Sequence, residues 1–212
     1  GQWFDPTSRY QYIEDMNDQD ITVIITSFHS GEKIFNCIES ISKDVKIIVV
    51  ENSNDQELIK KIQSKYKNVN CILSEENLGY GGGNNLALSK VTTNYALVVN
   101  PDVTLESDTI DKFFLTTNNT KNFGIIAPVS KDEKYTNFNI DNDKNIKEVE
   151  SVKGFAMFLN MNDLKKINFF DENFFLYFEE IDLCKRVKKN DAKIYIDPSI
   201  KVNHLGGTSH NS

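Results

Sequence analysis

Buried apolar runs alternate with amphipathic segments along the chain, and that alternation limits the folds open to it. Ile21-Thr-Val-Ile-Ile25 is an unbroken run dominated by β-branched residues. Such a run predicts a strand covered on both faces. Ile34, Cys37, Ile38 and Ile41 follow at helical spacing, as on a helix with one apolar face. Residues 45–50 predict a second strand, 56–66 a helix and 69–73 a third strand. Strand, helix, strand, helix, strand implies parallel strands joined by right-handed crossovers. The alternation continues with a helix carrying Leu86, Ala87 and Leu88, a strand over 95–99, a helix over 107–117 and a strand over 123–127. Strand character returns over 150–160 around Gly154. A short helix over 162–168, an amphipathic helix over 179–190 and a last strand over 193–196, before Pro198, complete the pattern. The fold class read from this is α/β, a mostly parallel sheet flanked by helices.

In a parallel sheet the turns after the strands meet at one edge, and ligands bind there. Five polar clusters follow apolar strands: residues 26–30, 51–55, 74–83, 100–102, and the region after Ile196 that holds His204. In Tyr95-Ala-Leu-Val-Val-Asn-Pro-Asp102 polarity flips at Asn100. Pro101 cannot continue a ladder, so Asp102 stands at the strand's carboxyl end, placed for a divalent cation or a sugar hydroxyl. An Asn-Pro-Asp turn is common in its own right, and it is convergence of the clusters that argues for a site.

Asn77-Leu-Gly-Tyr-Gly-Gly-Gly-Asn-Asn85 opens a helix. Glycines allow close backbone approach, and a helix start offers NH groups to an anion; a plain turn reads equally well. A dinucleotide fingerprint would belong in the first strand–helix turn, which lacks it. Glu179, Glu180 and Asp182 begin a helix, where the dipole favours acids. Preceded by Phe174, Phe175, Tyr177 and Phe178 as a wall on the core, they also read as candidates for a general base in an aromatic pocket. His204 reads first as structural. If the chain end folds over the sheet edge, it shares a metal with Asp102.

The net charge of −7, without a basic block, argues against nucleic acid as a partner. An anionic ligand would need a local metal ion or backbone NH groups. Three scattered cysteines, Cys37, Cys71 and Cys184, show no disulfide framework and fit a reducing compartment. No apolar run approaches a membrane span. Residues 1–20 read as an arm with a short helix near 10–16, and 131–150 as a polar surface excursion or hairpin. The run from Gly206 to Ser212 has no structural stop, so the natural chain is expected to continue.

Residues 21–29, 49–55, 76–85, 96–103, 154–158, 169–186 and 202–209, in that order, resemble the family 2 inverting glycosyltransferases of GT-A fold, especially the bacterial rhamnosyltransferase-like branch. The resemblance covers most of 21–209. It implies one GT-A (Rossmann-like) domain over 21–212, with a nucleotide-binding part at about 21–103, a catalytic and acceptor part at about 104–212, and a small antiparallel acceptor-side portion. It implies a nucleotide-diphosphate sugar donor, dTDP-rhamnose being the branch's commonest, and a glycan or lipid-linked acceptor of the cell surface. Thr26 and Phe28 would line the nucleobase pocket, and Glu51, where the family usually has Asp, would read the base. Asn77 and Gly79 would flank the nucleotide and sugar. Asn100-Pro-Asp102 lies where the family carries its Asp-X-Asp motif. Asp102, with His204, would hold Mg²⁺ or Mn²⁺. Glu180 would be the base and Asp182 the second candidate. Gly154 would let the sugars approach. A cytoplasmic location with peripheral membrane association goes with such acceptors. A catalytically weak nucleotide-sugar-binding domain of a larger assembly is the other reading.

Overall fold

The structure is a computed structural model and describes residues 20–132, 134, 136–137 and 145–206. The arm apart from Asp20, residues 133, 135 and 138–144 of the expected excursion, and the segment from 207 to 212 lie outside the described residues.

In chain order the elements are β1 (Ile21–Ser27), α1 (Lys33–Glu39), β2 (Lys46–Glu51), α2 (Gln56–Lys65), β3 (Val69–Leu73), α3 (Gly79–Leu88) and β4 (Tyr95–Val99). Then come β5 (Val103–Leu105), α4 (Thr109–Asn119), β6 (Phe123–Ser130), β7 (Lys147–Glu148), β8 (Ala156–Asn160), α5 (Met161–Lys166), α6 (Glu179–Lys189) and β9 (Lys193–His204). They form one sheet in the order β3-β2-β1-β4-β8-β6-β9-β5, with β7 added on β9. Strands β3, β2, β1 and β4 are parallel, as the alternation predicts. The expected antiparallel portion is present too: β8 runs against β4 and β6, and β5 and β7 run against β9.

The β1 run is apolar on consecutive residues because both its faces are covered. Val23 and Ile25 pack into one core with Ile34, Cys37 and Ile38 of α1. Ile24 packs into the other, with Ala87 and Leu88 of α3 and Leu183, Cys184 and Val187 of α6. Helices on both faces follow from this period-two split of one strand. On the first face Phe158 anchors an aromatic stack, its ring 5.0 Å from Phe113 at 7° and 5.0 Å from Tyr95. Such pairs add about 0.5–1.5 kcal/mol each beyond their burial.

Two expectations are corrected, and one strand left no signal in the sequence. The last strand does not stop before Pro198 but runs to His204. Its pairing with β6 slips in register between Ala127 and Val129, and a bulge is where a strand tolerates proline. Strand β5 is three residues long, too short to show a period, yet it pairs Val103 with His204. Helix α3 begins at Gly79, so most of the glycine run lies inside a helix rather than in a loop. Among the described residues no helix is long and apolar enough to cross a membrane.

Candidate active site

The turns after β1, β2 and β3 are tied together at the carboxyl edge. Asn52 N donates to Ser27 O at 2.8 Å and Ser74 N to Glu51 O at 2.9 Å. Thr26 Oγ1 donates to Asn84 Oδ1 at 2.8 Å, so the end of β1 is held against α3. Phe28 stands 45 % exposed beside His29, with a free apolar face at the rim.

Glu51 is wholly buried. Its carboxylate accepts from Ser53 N at 3.0 Å, Ser53 Oγ at 2.5 Å and Asp55 N at 2.7 Å. The side chain is folded back to shape its own loop, and none of its surface reaches solvent. Asn52, which sequence reasoning missed, is the hub of this side. Its Nδ2 donates to Asn77 Oδ1 and to Gly79 O, both at 3.0 Å, and its Oδ1 accepts from Leu78 N at 3.0 Å. Asn77 Oδ1 also accepts from Gly79 N at 3.0 Å, a side-chain turn of the kind asparagine favours.

The glycines of α3 serve close approach. Gly79 has φ +70°, and a Cβ there would land on the Phe175 carbonyl. A Cβ on Gly83 would sit 2.5 Å from Thr26 Cγ2. Gly79→Ala is expected to destabilise by about 1–3 kcal/mol, the usual cost of a strained backbone site. Gly79→Asn should do no better although asparagine tolerates the left-handed region, because the carbonyl blocks any Cβ. Urea unfolding of both variants checks this; an asparagine variant as stable as wild type would remove the steric half of the argument.

The β4 turn lies on the same edge. Asn100 N donates to Phe155 O at 2.9 Å, and Asn100 O accepts from Val103 N at 3.1 Å. Asp102 and His204 meet here, Oδ1 to Nε2 at 3.5 Å, with side chains 10 % and 13 % exposed. The His204 ring stacks on Phe155 at 4.8 Å and 18°, and Leu205 N donates to Asp102 O at 3.3 Å. The bulged β9 is what brings His204 to this place. Burial, then the Asp102 charge, pushes the nearby Cys37 thiol far up. A cleft of about 410 Å³ lined by Lys33, Asn36, Thr104 and Asn203 opens onto the pair.

Among the described residues no group of three or more His, Cys, Asp or Glu side chains is placed to hold a metal. Asp102 and His204 do fit as two adjacent donors of one ion. Their mixed oxygen–nitrogen character suits Mn²⁺ better than Mg²⁺, which favours oxygen throughout.

The third side is the start of α6. Glu179 is 5 % exposed, and its Oε2 is buried without a hydrogen-bond partner among the described residues. Burial, with the Glu180 charge adding to it, raises its carboxyl above the usual range. Glu180 is half-buried and lies against Gly154, where an added Cβ would come 3.6 Å from Glu180 Cβ and 3.3 Å from Tyr80 Oη. Tyr80, also missed, donates its hydroxyl to Gly154 O at 2.5 Å. Burial first, then Glu179 and Glu180, pushes that phenol well up. Tyr80 therefore joins the glycine helix to the Gly154 turn beside the acids. Its signal was masked, since a lone tyrosine in a glycine run has no apolar period.

Asp182 is committed elsewhere. It accepts from Arg186 Nε at 2.6 Å, while Arg186 Nη1 donates to Ile167 O at 2.9 Å and Phe169 O at 2.6 Å. The pair clamps the loop before α6. That loop is a further correction: Phe170 packs inward, edge-on to Tyr80, but Phe175, Leu176, Tyr177 and Phe178 point outward instead of walling the core.

A model of glycosyl transferase family 2 matches residues 22–184. The low-salt glycan biosynthesis hexosyltransferase Agl10 of Haloferax volcanii is 27 % identical over 198 residues, which cover 82 % of this chain and 64 % of that protein. The rhamnosyltransferase WbbL of Escherichia coli is 24 % identical over 220 residues, covering 87 % and 83 %. The mannosyltransferase PcManGT of Pyrobaculum calidifontis, solved with GDP-Man and Mn²⁺, superposes with a TM-score of 0.74 at 11 % identity, over 96 % of this chain and 64 % of that one. That likeness is one of fold, a GT-A sheet.

Proposed function

The chain belongs to glycosyl transferase family 2, and from that premise we propose that it is an inverting glycosyltransferase moving a sugar from a nucleotide-diphosphate donor to a hydroxyl of a glycan or lipid-linked acceptor. The observation that carries the reading is the meeting, on one sheet edge, of the Asp102–His204 pair with the Gly154 turn and Glu180; the link is Phe155, which follows Gly154 and stacks on His204. Thr26, Phe28 and Asn77 bound the nucleotide side, and Glu51 and Asn52 hold their loops in place for it. Asn100 contributes the turn that sets Asp102.

In this reading Glu180 takes the proton of the acceptor hydroxyl. The resulting oxygen attacks the anomeric carbon from the face opposite the diphosphate, the bond to the phosphate oxygen breaks, and configuration inverts. A metal on Asp102 and His204, Mn²⁺ by its donor preference, would offset the charge growing on the leaving diphosphate when bound. Gly154, with no side chain, keeps the acceptor path to Glu180 open. The relative named a rhamnosyltransferase makes dTDP-rhamnose the first donor to try, and a hexose donor follows from the one named a hexosyltransferase. Work at the inner face of the cell membrane goes with a lipid-linked acceptor.

Titration calorimetry with UDP, GDP and dTDP, with and without Mn²⁺, tests the reading, followed by hydrolysis of the matching nucleotide sugars. Binding strengthened by Mn²⁺, together with sugar release, is expected. No nucleotide binding would overturn it. Binding without turnover would select the alternative of a catalytically weak binding domain, which Asn100 favours by standing where the family carries an acid.

A further inference from the structure

The segment entering α6 presents four consecutive apolar side chains to water: Phe175, Leu176, Tyr177 and Phe178, at 56, 47, 51 and 65 % exposure. Their backbone is not loose. Tyr80 N donates to Phe175 O at 3.2 Å, and Asp182 N donates to Phe178 O at 2.9 Å. Asn85 Nδ2 donates to Phe170 O and to Glu172 Oε1, both at 2.9 Å, further back in the same loop. Tyr177 and Phe178 take φ of 69° and 70°, a region that bulky residues rarely occupy. Strain of this kind persists where the surroundings impose it, and it gathers at ligand clamps. The rim ends one residue before Glu179 and two before Glu180.

We infer that this rim is the platform on which the acceptor lies, and that the acceptor portion it meets is a neutral sugar ring. The inference rests on the transferase reading and deepens it. An exposed apolar patch beside a site marks a binding surface, and here three of the four side chains are flat rings. A pyranose offers a ring its C–H face while its hydroxyls stay in water or reach inward to Glu180. Charge decides between a sugar and an anionic lipid surface. From 169 to 182 the chain carries Asp171, Glu172, Glu179, Glu180 and Asp182 and no Lys or Arg. A membrane-docking loop would need basic residues here to meet anionic headgroups; this one repels them. A neutral glycan suffers no such repulsion.

The test is saturation-transfer NMR on the full chain with UDP and Mn²⁺ present. The probes are the methyl glycosides of glucose, galactose, mannose, N-acetylglucosamine and rhamnose. Phe178→Gly is the informative variant, because glycine accepts the left-handed backbone without strain and the fold is retained, as thermal unfolding will show. Phe175→Ala is the second. At least one glycoside should bind wild type, and each substitution should weaken it about tenfold, as for loss of one aromatic anchor, with UDP affinity unchanged. Glycoside binding indifferent to both variants overturns the proposal. So does a panel of which none binds while UDP does. Co-flotation with mixed phosphatidylglycerol–phosphatidylcholine vesicles that Phe178→Gly abolishes would replace the sugar by a membrane. If UDP does not bind, GDP or dTDP takes its place in the same test; failure of all three to bind strikes the transferase reading, and this proposal falls with it.

Discussion

Replacing Glu180 by Gln is expected to lower kcat for transfer by about 10²- to 10⁴-fold, the usual worth of a positioned general base, with nucleotide affinity and donor KM unchanged. The amide keeps the size and hydrogen bonding of the side chain but cannot take the acceptor proton. The argument for Glu180 over its neighbours is positional. Glu179 is shut in, 5 % exposed, with its carboxyl held above the usual range by burial. Asp182 is tied to Arg186 at 2.6 Å, and that arginine in turn holds the Ile167 and Phe169 carbonyls. Glu180 is half-buried, as Asp182 is, but it is set against the side-chain-free Gly154 turn and carries no such clamp to an arginine. Asp182→Asn should therefore act on stability, loosening the loop before α6, and leave kcat nearly intact. Steady-state release of nucleoside diphosphate, followed with and without acceptor, separates the cases. Turnover retained by Glu180→Gln but lost in Glu179→Gln would move the base one residue along the helix.

How much of this was legible beforehand depends on whether the determining contacts are local. The β1 and β4 strands were readable because burial on both faces leaves a continuous apolar run, a property of the segment itself. The parallel half of the sheet follows from the alternation of such runs with amphipathic helices. Strand β9 was cut short at Pro198 because its continuation depends on a register slip against β6, a feature of the partner strand. That error hid how His204 is delivered, although the residue itself was singled out. The glycine run reads as a helix start open to an anion, whereas packing uses it otherwise: Gly79 and Gly83 make room for the Phe175 carbonyl and for Thr26. Hydrophobicity placed Phe175 to Phe178 inward; the space behind the loop is filled by Phe170 and Tyr80, so they face water. Asn52 left no trace because its partners, Asn77, Leu78 and Gly79, lie 25 to 27 residues away in the chain.

Asp102→Ala is expected to abolish the Mn²⁺-dependent part of nucleoside-diphosphate affinity. In wild type, calorimetry should show binding strengthened by Mn²⁺ on the order of 10²-fold, since even outer-shell partners of a metal are worth 10- to 100-fold and a directly bound carboxylate is worth no less. In the variant the ratio with and without Mn²⁺ should fall to about one, while metal-free binding, which we propose uses the Thr26 and Asn77 side, stays in place. The site's sparseness makes the effect large: with Asn100 at the position the resemblance gives to an acid, Asp102 is the sole carboxylate of the pair, and His204 supplies a neutral nitrogen that cannot balance the ion's charge. His204→Ala should therefore cost less than Asp102→Ala. Asn100→Asp runs the argument in reverse. A second carboxylate on the turn should tighten Mn²⁺-linked binding, by about tenfold if it enters the coordination sphere as an added charged ligand. An Asp102→Ala protein whose nucleotide affinity still rose with Mn²⁺ would place the ion elsewhere and leave the Asp102–His204 pair as packing at the sheet edge. If Asn100→Asp alone gained from Mn²⁺ while wild type did not, the native edge would be a metal-poor one. The diphosphate would then have to be met by the 410 Å³ cleft's own cation, Lys33.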